Sequence, residues 1–324
     1  MNSFGRNFRV SVLGESHGEL VGILIDGCPP GIPLSVDDFM PDLERRQAKG
    51  VKGTTPRKEQ DIPLIRSGFF QGKTTGAPLL IEFKNENVKS QDYDKIKNTP
   101  RPGHADFVAY KKFGGFNDFR GSGHFSGRLT AGIVAAGVVA KKLLKPIKIE
   151  ARVIEVFGKK DIDQAIDQAL NEGDSVGGIV ECRVSGLSVG LGEPFFDSVE
   201  SLLAHAIFAI PATKGIEFGA GFACAKMKGS AFGDEITDAS GHTSTNHSGG
   251  INGGITNGNE LIFRVAVKPT SSIKKEKNTI DMQSGDKTTI SVQGRHDACI
   301  ALRVPVVVEA MTAIVLADLA SQLN

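Results

Sequence analysis

SGRLTAGIVAAGVVAKKLLKP (126–146) is small and apolar on nearly every face, and it constrains the fold more than any other stretch. A helix with one apolar stripe can lie on a surface, whereas a helix apolar all round has to be enclosed. Its nearly uninterrupted apolar part, 129–140, is too short to span a bilayer and runs into Lys141 and Lys142. The helix therefore belongs in the centre of the fold, where Ala and Gly permit close packing from all sides. PVVVEAMTAIVLADLASQL (305–323), opened by Pro305, is a second core helix. A chain of 324 residues can bury a large core, and one domain over 1–324 is expected.

Other segments surround that centre. SVDDFMPDLERRQAKG (35–50) reads as a helix with Ser35 as N-cap, Asp38 three residues on and a stop at Gly50. DIDQAIDQALNEG (161–173) and DSVESLLAHAIFAIP (197–211) are amphipathic helices with acidic starts. FRVSVL (8–13) and LVGILIDG (20–27) open the chain as two adjacent strands. PLLIEF (78–83), IEARVIEV (149–156), GIVECRVSG (178–186), GIEFGAGFACAKM (215–227) and ELIFRVAV (260–267) read as further strands. Helices and strands do not alternate strictly. That predicts an α+β fold with antiparallel sheets and central helices, not a doubly wound parallel sheet.

Composition removes several classes of function. A net charge of +1 offers no global attraction to nucleic acid or a membrane surface. With 39 Gly, 2 Tyr and no Trp, the chain is built for tight turns and close backbone approach. Cys28, Cys182, Cys224 and Cys299 are far apart and lack metal-ligand spacing, so no metal is expected and all four read as buried thiols. No long apolar run marks the N-terminus as a signal peptide, and a cytoplasmic protein is expected.

The chemistry-bearing residues sit in Gly-rich turns. GESHG (14–18) brackets Glu15, Ser16 and His17 with glycines on the connection between the first two core strands. RRQAKGVKGTTPRKE (45–59) concentrates Arg46, Lys52 and Arg57 in a basic loop expected to be exposed without ligand and suited to a multiply anionic one. PRPGHAD (100–106) sets His104 beside Arg101 in a stiffened segment. GSGHFSGR (121–128) misses the dinucleotide fingerprint in its glycine spacing, but Ser126, Arg128 and the backbone of a helix start can hold a phosphate. TNHSGGINGGITNG (245–258), KPTSS (268–272) and GRHDA (294–298) supply more turns of this type. Each alone is an ordinary capped turn; together they call for a large anionic ligand, or two.

GESHGELVGILIDGCP, GHFSGRLTAGIVAAGVV and GRHDACIALRVPVVVEAM resemble the signature segments of the chorismate synthase family, and RPGHAD, ATKGIEFG, NHSGGINGGI and KPTSSI match it in order between them. The resemblance runs from about residue 8 to about residue 320. It implies a single-domain β-α-β sandwich with central helices, assembled as a homotetramer. It also implies conversion of 5-enolpyruvylshikimate 3-phosphate to chorismate and phosphate, the last step of the shikimate pathway toward the aromatic amino acids. That reaction is an elimination that requires reduced FMN and consumes none overall. By this resemblance His17 protonates the departing phosphate, His104 acts on the reduced flavin and Asp297 takes a proton from flavin N5. Arg46 matches an anion-binding arginine, Lys52 replaces a second one, and Arg57, Arg101 and Arg128 are further partners for phosphate and carboxylates. The flavin contacts map onto His124, Phe125, Ser126, Ala212, Gly253, Lys268, Pro269, Thr270, Ser271, Ser272 and Arg295.

Several positions depart from the family's usual form. HFSGR (124–128) stands where Arg-Ser-Ser-Ala-Arg is common, Pro211 replaces an Asn, Ala298 replaces a Pro, and the region 146–178 is trimmed. Two other classes would use the same phosphate turns. A different flavin oxidoreductase would need a stoichiometric electron donor, and a non-catalytic FMN-binding protein would have no use for two histidines and an aspartate. No extra domain for flavin reduction is visible, so the expectation is an enzyme supplied with reduced flavin, NADPH serving at most as the source of reducing power.

Overall fold

The computed structural model describes residues 2–47, 50–54, 59–86, 96–292 and 296–321. Arg57 and Arg295, two of the expected ligand contacts, lie outside the described residues. A five-stranded antiparallel sheet joins β1 (Ser3–Phe4), β2 (Arg9–Gly14), β3 (Leu20–Asp26) and β4 (Leu64–Ser67) to β7 (Leu79–Lys84), in the order β1-β2-β3-β7-β4. A short hairpin, β5 (Phe69–Phe70) and β6 (Lys73–Thr74), intervenes in sequence. The second sheet is four-stranded and also antiparallel, ordered β10-β13-β9-β8. Its members are β8 (Lys148–Val156), β9 (Gly178–Ser185), β10 (Thr213–Phe218) and β13 (Leu261–Val267). The small hairpin of β11 (Ile251–Asn252) and β12 (Ile255–Thr256) precedes β13.

Between the sheets lie the two helices that are apolar all round, α3 (Thr130–Leu143) and α7 (Pro305–Ala320). They pack on each other; α3 also covers the first sheet and α7 the second. Small residues set how near they come. A Cβ added to Gly137 would stand 2.4 Å from Ala310 Cβ, and one added to Gly132 would stand 2.8 Å from the Gly22 carbonyl oxygen. Larger side chains at either position would push the layers apart. One hydrophobic core runs through both sheets, from Val10, Ile23 and Ile81 to Val180 and Phe263. The result is the antiparallel α+β sandwich with central helices that the sequence predicts.

Buried polar groups on α7 tie the layers together. Asp318 accepts the backbone N–H groups of Arg6, Asn7 and Phe8 at 2.6–2.9 Å, fixing the entry to β2. Glu309 accepts from Arg45 of α1 (Met40–Gln47) and from Lys141 of α3. The remaining helices are α2 (Asp106–Lys112), α4 (Ile162–Glu172), α5 (Val199–Phe208) and the single turn α6 (Gly229–Phe232).

Three readings need correction. The run 215–227 is not one strand: β10 ends at Phe218, the chain turns through Gly219 and Gly221 at φ of 53° and 54°, and a 3-10 helix follows over Gly221–Lys226. The run's apolar residues mimic a strand, yet Phe222 is 84% exposed. Cys224 lies on this segment and is exposed; only Cys28, Cys182 and Cys299 are buried. Helix α1 is shorter than 35–50, because a separate 3-10 turn over Val36–Asp38 precedes it. Strands β14 (Lys277–Ile280) and β15 (Lys287–Ile290), a surface hairpin, and helix α2 were not anticipated.

Candidate active site

A cavity of about 620 Å³ opens where the helix layer meets the two sheets. Its wall includes Arg46, Arg101, His104, His124, Phe125, Ser126, Arg128, Ala212, Lys268, Thr270, Ser271, Ser272 and Asp297. Most of the expected site residues are thus brought together from distant parts of the chain. The exceptions are specific. His17, an expected catalytic residue, is not part of the cavity wall; it is packed against Gly121, which is. Lys52 is half-exposed and ion-paired with Asp167 of α4. Gly253 sits at the tip of the β11–β12 hairpin, and Pro269 packs beside Gly177; neither lines the cavity. Arg46 corrects the picture of an exposed basic loop, since it belongs to α1 and its side chain is only 7% exposed.

The GESHG turn builds one side. Gly14 ends β2 at φ 86°, and Asn85 pins the turn by donating to the carbonyls of Glu15 and Gly18 at 3.0 and 2.9 Å. His124 Nδ1–H donates to the Gly14 carbonyl at 2.9 Å, so this histidine braces the turn. Ser16 and His17 are buried, not solvated as an ordinary hairpin tip would be. What covers them is Gly121. A Cβ there would stand 2.3 Å from the His17 ring and 2.8 Å from Ser16 Oγ, so the wall can pass this close only as glycine.

The segment Gly121, Ser122, Gly123 has left-handed φ values of 56°, 70° and 50°. Ser122 is a costly residue to hold there, and such strain persists only where the surroundings impose it. Its hydroxyl lies 3.3 Å from His104 Nε2 and accepts from Arg101 at 3.0 Å. One strained turn therefore covers His17 with Gly121 and meets His104 with Ser122. Ala212, also left-handed at φ 75°, receives the backbone N–H of Lys268 on the opposite wall.

His104 is locked. Its Nδ1 lies 2.7 Å from Asp106 Oδ1, so Nδ1–H donates to the carboxylate and Nε2 is left as the acceptor. Burial pushes its pKa below the ordinary 6.5; the bond to Asp106 opposes this, and Arg101 and Lys268 reinforce it. Arg101 donates to Asp106 from Nε and Nη2, both at 2.8 Å, and from Nη1 to Ser272 at 2.9 Å. Lys268 Nζ donates to the Gly103 carbonyl at 2.9 Å and to Ser271 at 3.1 Å, and burial with Lys214 and Lys277 nearby lowers its pKa.

A second cluster lies deeper. Arg46 and Arg128 both bond to the fully buried carboxylate of Asp61. Burial alone would raise Asp61, but the two guanidiniums overcome it and hold the carboxyl at about 2. Arg128 also donates to Asn85 Oδ1 at 2.9 Å and to the Lys84 carbonyl at 3.0 Å. Asp297 accepts from Arg303 at 3.1 Å. Asp61, Asp106, Ser122, Asn85 and Arg303 were all missed in the sequence. Asp106 stood inside the quoted RPGHAD motif, but Asp61 lies 67 residues from its partner Arg128 and no local pattern marks it.

Arginine and lysine outnumber carboxylates around this wall, and one strained turn meets the buried His17 through Gly121 and the partly exposed His104 through Ser122. Fold and cavity together make a strongly cationic pocket with histidines at its wall. The chain belongs to the chorismate synthase family, whose model matches residues 8–320. It is 65% identical to the chorismate synthase of Chitinophaga pinensis over 319 residues, covering 98% of this chain and 96% of that protein. The chorismate synthase of Dehalococcoides mccartyi is 46% identical over 350 residues, covering 98% and 96%. A crystal structure of chorismate synthase superposes with a TM-score of 0.75 at 28% identity, covering 98% of this chain and 93% of that one. Among the described residues, no cluster of His, Cys, Asp or Glu is arranged to hold a metal ion, and no helix is long and apolar enough to cross a membrane.

Proposed function

We propose that this chain is a carbon–oxygen lyase that converts 5-enolpyruvylshikimate 3-phosphate to chorismate and phosphate without net oxidation or reduction. The observation carrying this reading is the convergence of Arg46, Arg101, His104, Arg128, Lys268 and Asp297 on one cavity. The substrate carries a phosphate and two carboxylates, which suits a wall of guanidinium and ammonium groups.

The cavity also fits reduced FMN. Its volume of about 620 Å³ is that of a small-molecule site. Lys268, Thr270, Ser271 and Ser272 present an ammonium and hydroxyls suited to a phosphate, while Phe125 and Ala212 offer apolar surface to a flat ring. These residues, with Ser126, would hold the cofactor. When bound, reduced FMN supplies electron density that lets hydrogen and phosphate depart with no net redox change. His17, packed against Gly121, delivers a proton to the departing phosphate oxygen. His104 holds or accepts a proton at Nε2, the nitrogen that Asp106 leaves open. Asp297, oriented by Arg303, takes up a proton at its carboxylate.

We assign the chain to the cytoplasm and to a homotetramer, the second supported by Phe195, Phe196 and Phe222, each more than 80% exposed. The test is an anaerobic assay with pre-reduced FMN. One reduced FMN should support many turnovers, and chorismate and phosphate should appear in equal amounts with no NADPH present. Flavin oxidised one-for-one with product would instead identify a flavin oxidoreductase.

A further inference from the structure

Strand β10 forms one edge of the second sheet, and its start is irregular twice over. Ala212, just before it, is left-handed at φ 75°. Thr213 then faces Val267 while Gly215 faces Ala266, so Lys214 has no residue opposite it and is the extra residue of a β-bulge. A bulge bends its strand and re-aims the side chain it carries, and bulges collect beside active sites. Here the bulged residue is exposed and lines the main cavity together with Lys268.

The two ammonium groups differ in what they already hold. Lys268 donates to the Gly103 carbonyl and to Ser271. Lys214 has neither a hydrogen bond nor an ion pair among the described residues. No carboxylate balances the pair, since the charges that act on Lys268 belong to Lys214 and Lys277, both positive. Like charges gathered at a cavity wall repel one another until an anion joins them. A lysine on an edge strand also has an ordinary use, because its charge discourages pairing with the edge of another molecule. That use needs neither a bulge nor a place in the cavity wall.

We propose that Lys214 is a ligand-binding residue that, with Lys268, takes the dianionic phosphate of a phosphate monoester in the cavity. This rests on reading the cavity as the site of 5-enolpyruvylshikimate 3-phosphate and reduced FMN. Both carry such a phosphate, and separate binding measurements show which of them meets Lys214.

The test compares the unaltered protein with Lys214→Gln, which removes the charge and keeps an unbranched polar side chain. FMN and riboflavin differ only in the phosphate; their affinities are read from quenching of flavin fluorescence, and that of the substrate from calorimetry. If the flavin phosphate is the partner, FMN should weaken about 10-fold while riboflavin binds as before. If the substrate phosphate is the partner, the substrate should weaken by that factor and FMN should not. In either case Lys214→Arg should recover most of the loss, and added salt should shrink it. Unchanged affinities for all three ligands overturn the proposal, and a variant that then self-associates more readily returns Lys214 to protecting the sheet edge. Equal losses for FMN and riboflavin also overturn it, because the phosphate would not be what Lys214 senses. So does a large fall in melting temperature with all three ligands weakened alike, since Lys214 would then only hold the bulge. None of these readouts needs turnover: a chain that makes no chorismate, yet loses FMN and keeps riboflavin on Lys214→Gln, would refute the proposed activity and leave this assignment standing.

Discussion

Two buried clusters in this cavity are made from the same residue types and differ in what they leave unpaired. Around Asp106, Arg101 and His104 share one carboxylate, while Ser122 and Ser272 accept further guanidinium N–H groups. A neutral His104 makes that cluster a balanced pair of charges. Around Asp61, two guanidiniums share one carboxylate, so the trio carries excess positive charge. The closed cluster fixes the tautomer of an imidazole. The open one keeps cationic charge at the wall, ready for an anion. The number of cations per carboxylate, more than residue type, separates positioning from binding here.

The most severe way to break the closed cluster is His104→Ala. If His104 works as an acid or base, turnover per folded molecule should fall by about 100- to 10,000-fold, with little change in melting temperature. Asp106→Asn keeps the imidazole but no longer enforces its tautomer, and should give an intermediate loss. His104→Ala should also make the spectrum of bound reduced FMN respond to pH between about 5 and 9 in a way that His17→Ala does not. Identical flavin spectra in the two histidine variants would sink the division of roles between them.

For the open cluster the comparable test is Asp61→Asn, which removes the carboxylate that two buried guanidiniums share and leaves Arg128 only the attraction of Glu59. Breaking a buried ion pair from one side costs about 3–5 kcal/mol. Chemical denaturation should show a loss of that size for Asp61→Asn and a smaller one for Asp106→Asn, where one guanidinium is stranded instead of two. Equal losses would mean that the excess charge around Asp61 is compensated elsewhere.

How much of this was legible in the sequence depends on the range over which the cause acts. The all-round apolar character of 126–146 and 305–323 places both helices in the centre, because enclosure follows from composition alone. The turn at 14–18 and the motif at 100–106 are short enough that glycines and neighbours mark them as sites. Asp61 could not be found this way: its role comes from Arg128, which only the packing of α3 brings near. Ser122 is similar, since nothing in GSGHF says that its serine is held in a left-handed conformation between two histidines. Helix α2 escaped because Phe107, Val108 and Tyr110 are exposed apolar residues and show no buried stripe to read.

Acid titration sharpens the comparison at a smaller scale. The folded carboxyl of Asp61, at about 2, lies below its ordinary 3.8. A depressed carboxyl stabilises the fold above the ordinary value, and that contribution is lost as pH falls toward the folded one. Asp61 should therefore contribute about 2 kcal/mol that disappears between roughly pH 4 and pH 2. Asp106, also lowered, adds to the same window. His104 acts earlier: its pKa is lowered, so the neutral form is favoured in the fold, and stability should begin to decline as pH drops below about 6.5. Stability measured from pH 7 to 2 should show these two stages, and Asp61→Asn should flatten the lower one. An unchanged acid limb in that variant would mean that the two arginines do not depress Asp61 as described.

The smallest effect is expected at Lys52, which the family resemblance placed among the anion-binding residues. In the structure its ammonium pairs with Asp167 on α4, and the two side chains are 56% and 50% exposed. An exposed ion pair of this kind is worth about 0–1 kcal/mol, because water screens it and two flexible side chains must be ordered to form it. The contrast with Arg46 is direct: both come from the same basic stretch, but Arg46 is buried in the cavity wall and Lys52 is not. Lys52→Ala should lower stability by less than about 1 kcal/mol, with a loss that shrinks in high salt. Affinity for the substrate should stay within about twofold, against the roughly tenfold or greater loss expected for replacing Arg46. The decisive measurement is substrate affinity in Lys52→Ala and in Lys52→Ala combined with Asp167→Ala. If the single variant loses affinity as Arg46 variants do, Lys52 must leave Asp167 to reach the ligand, and the boundary between wall and surface drawn at this loop is wrong.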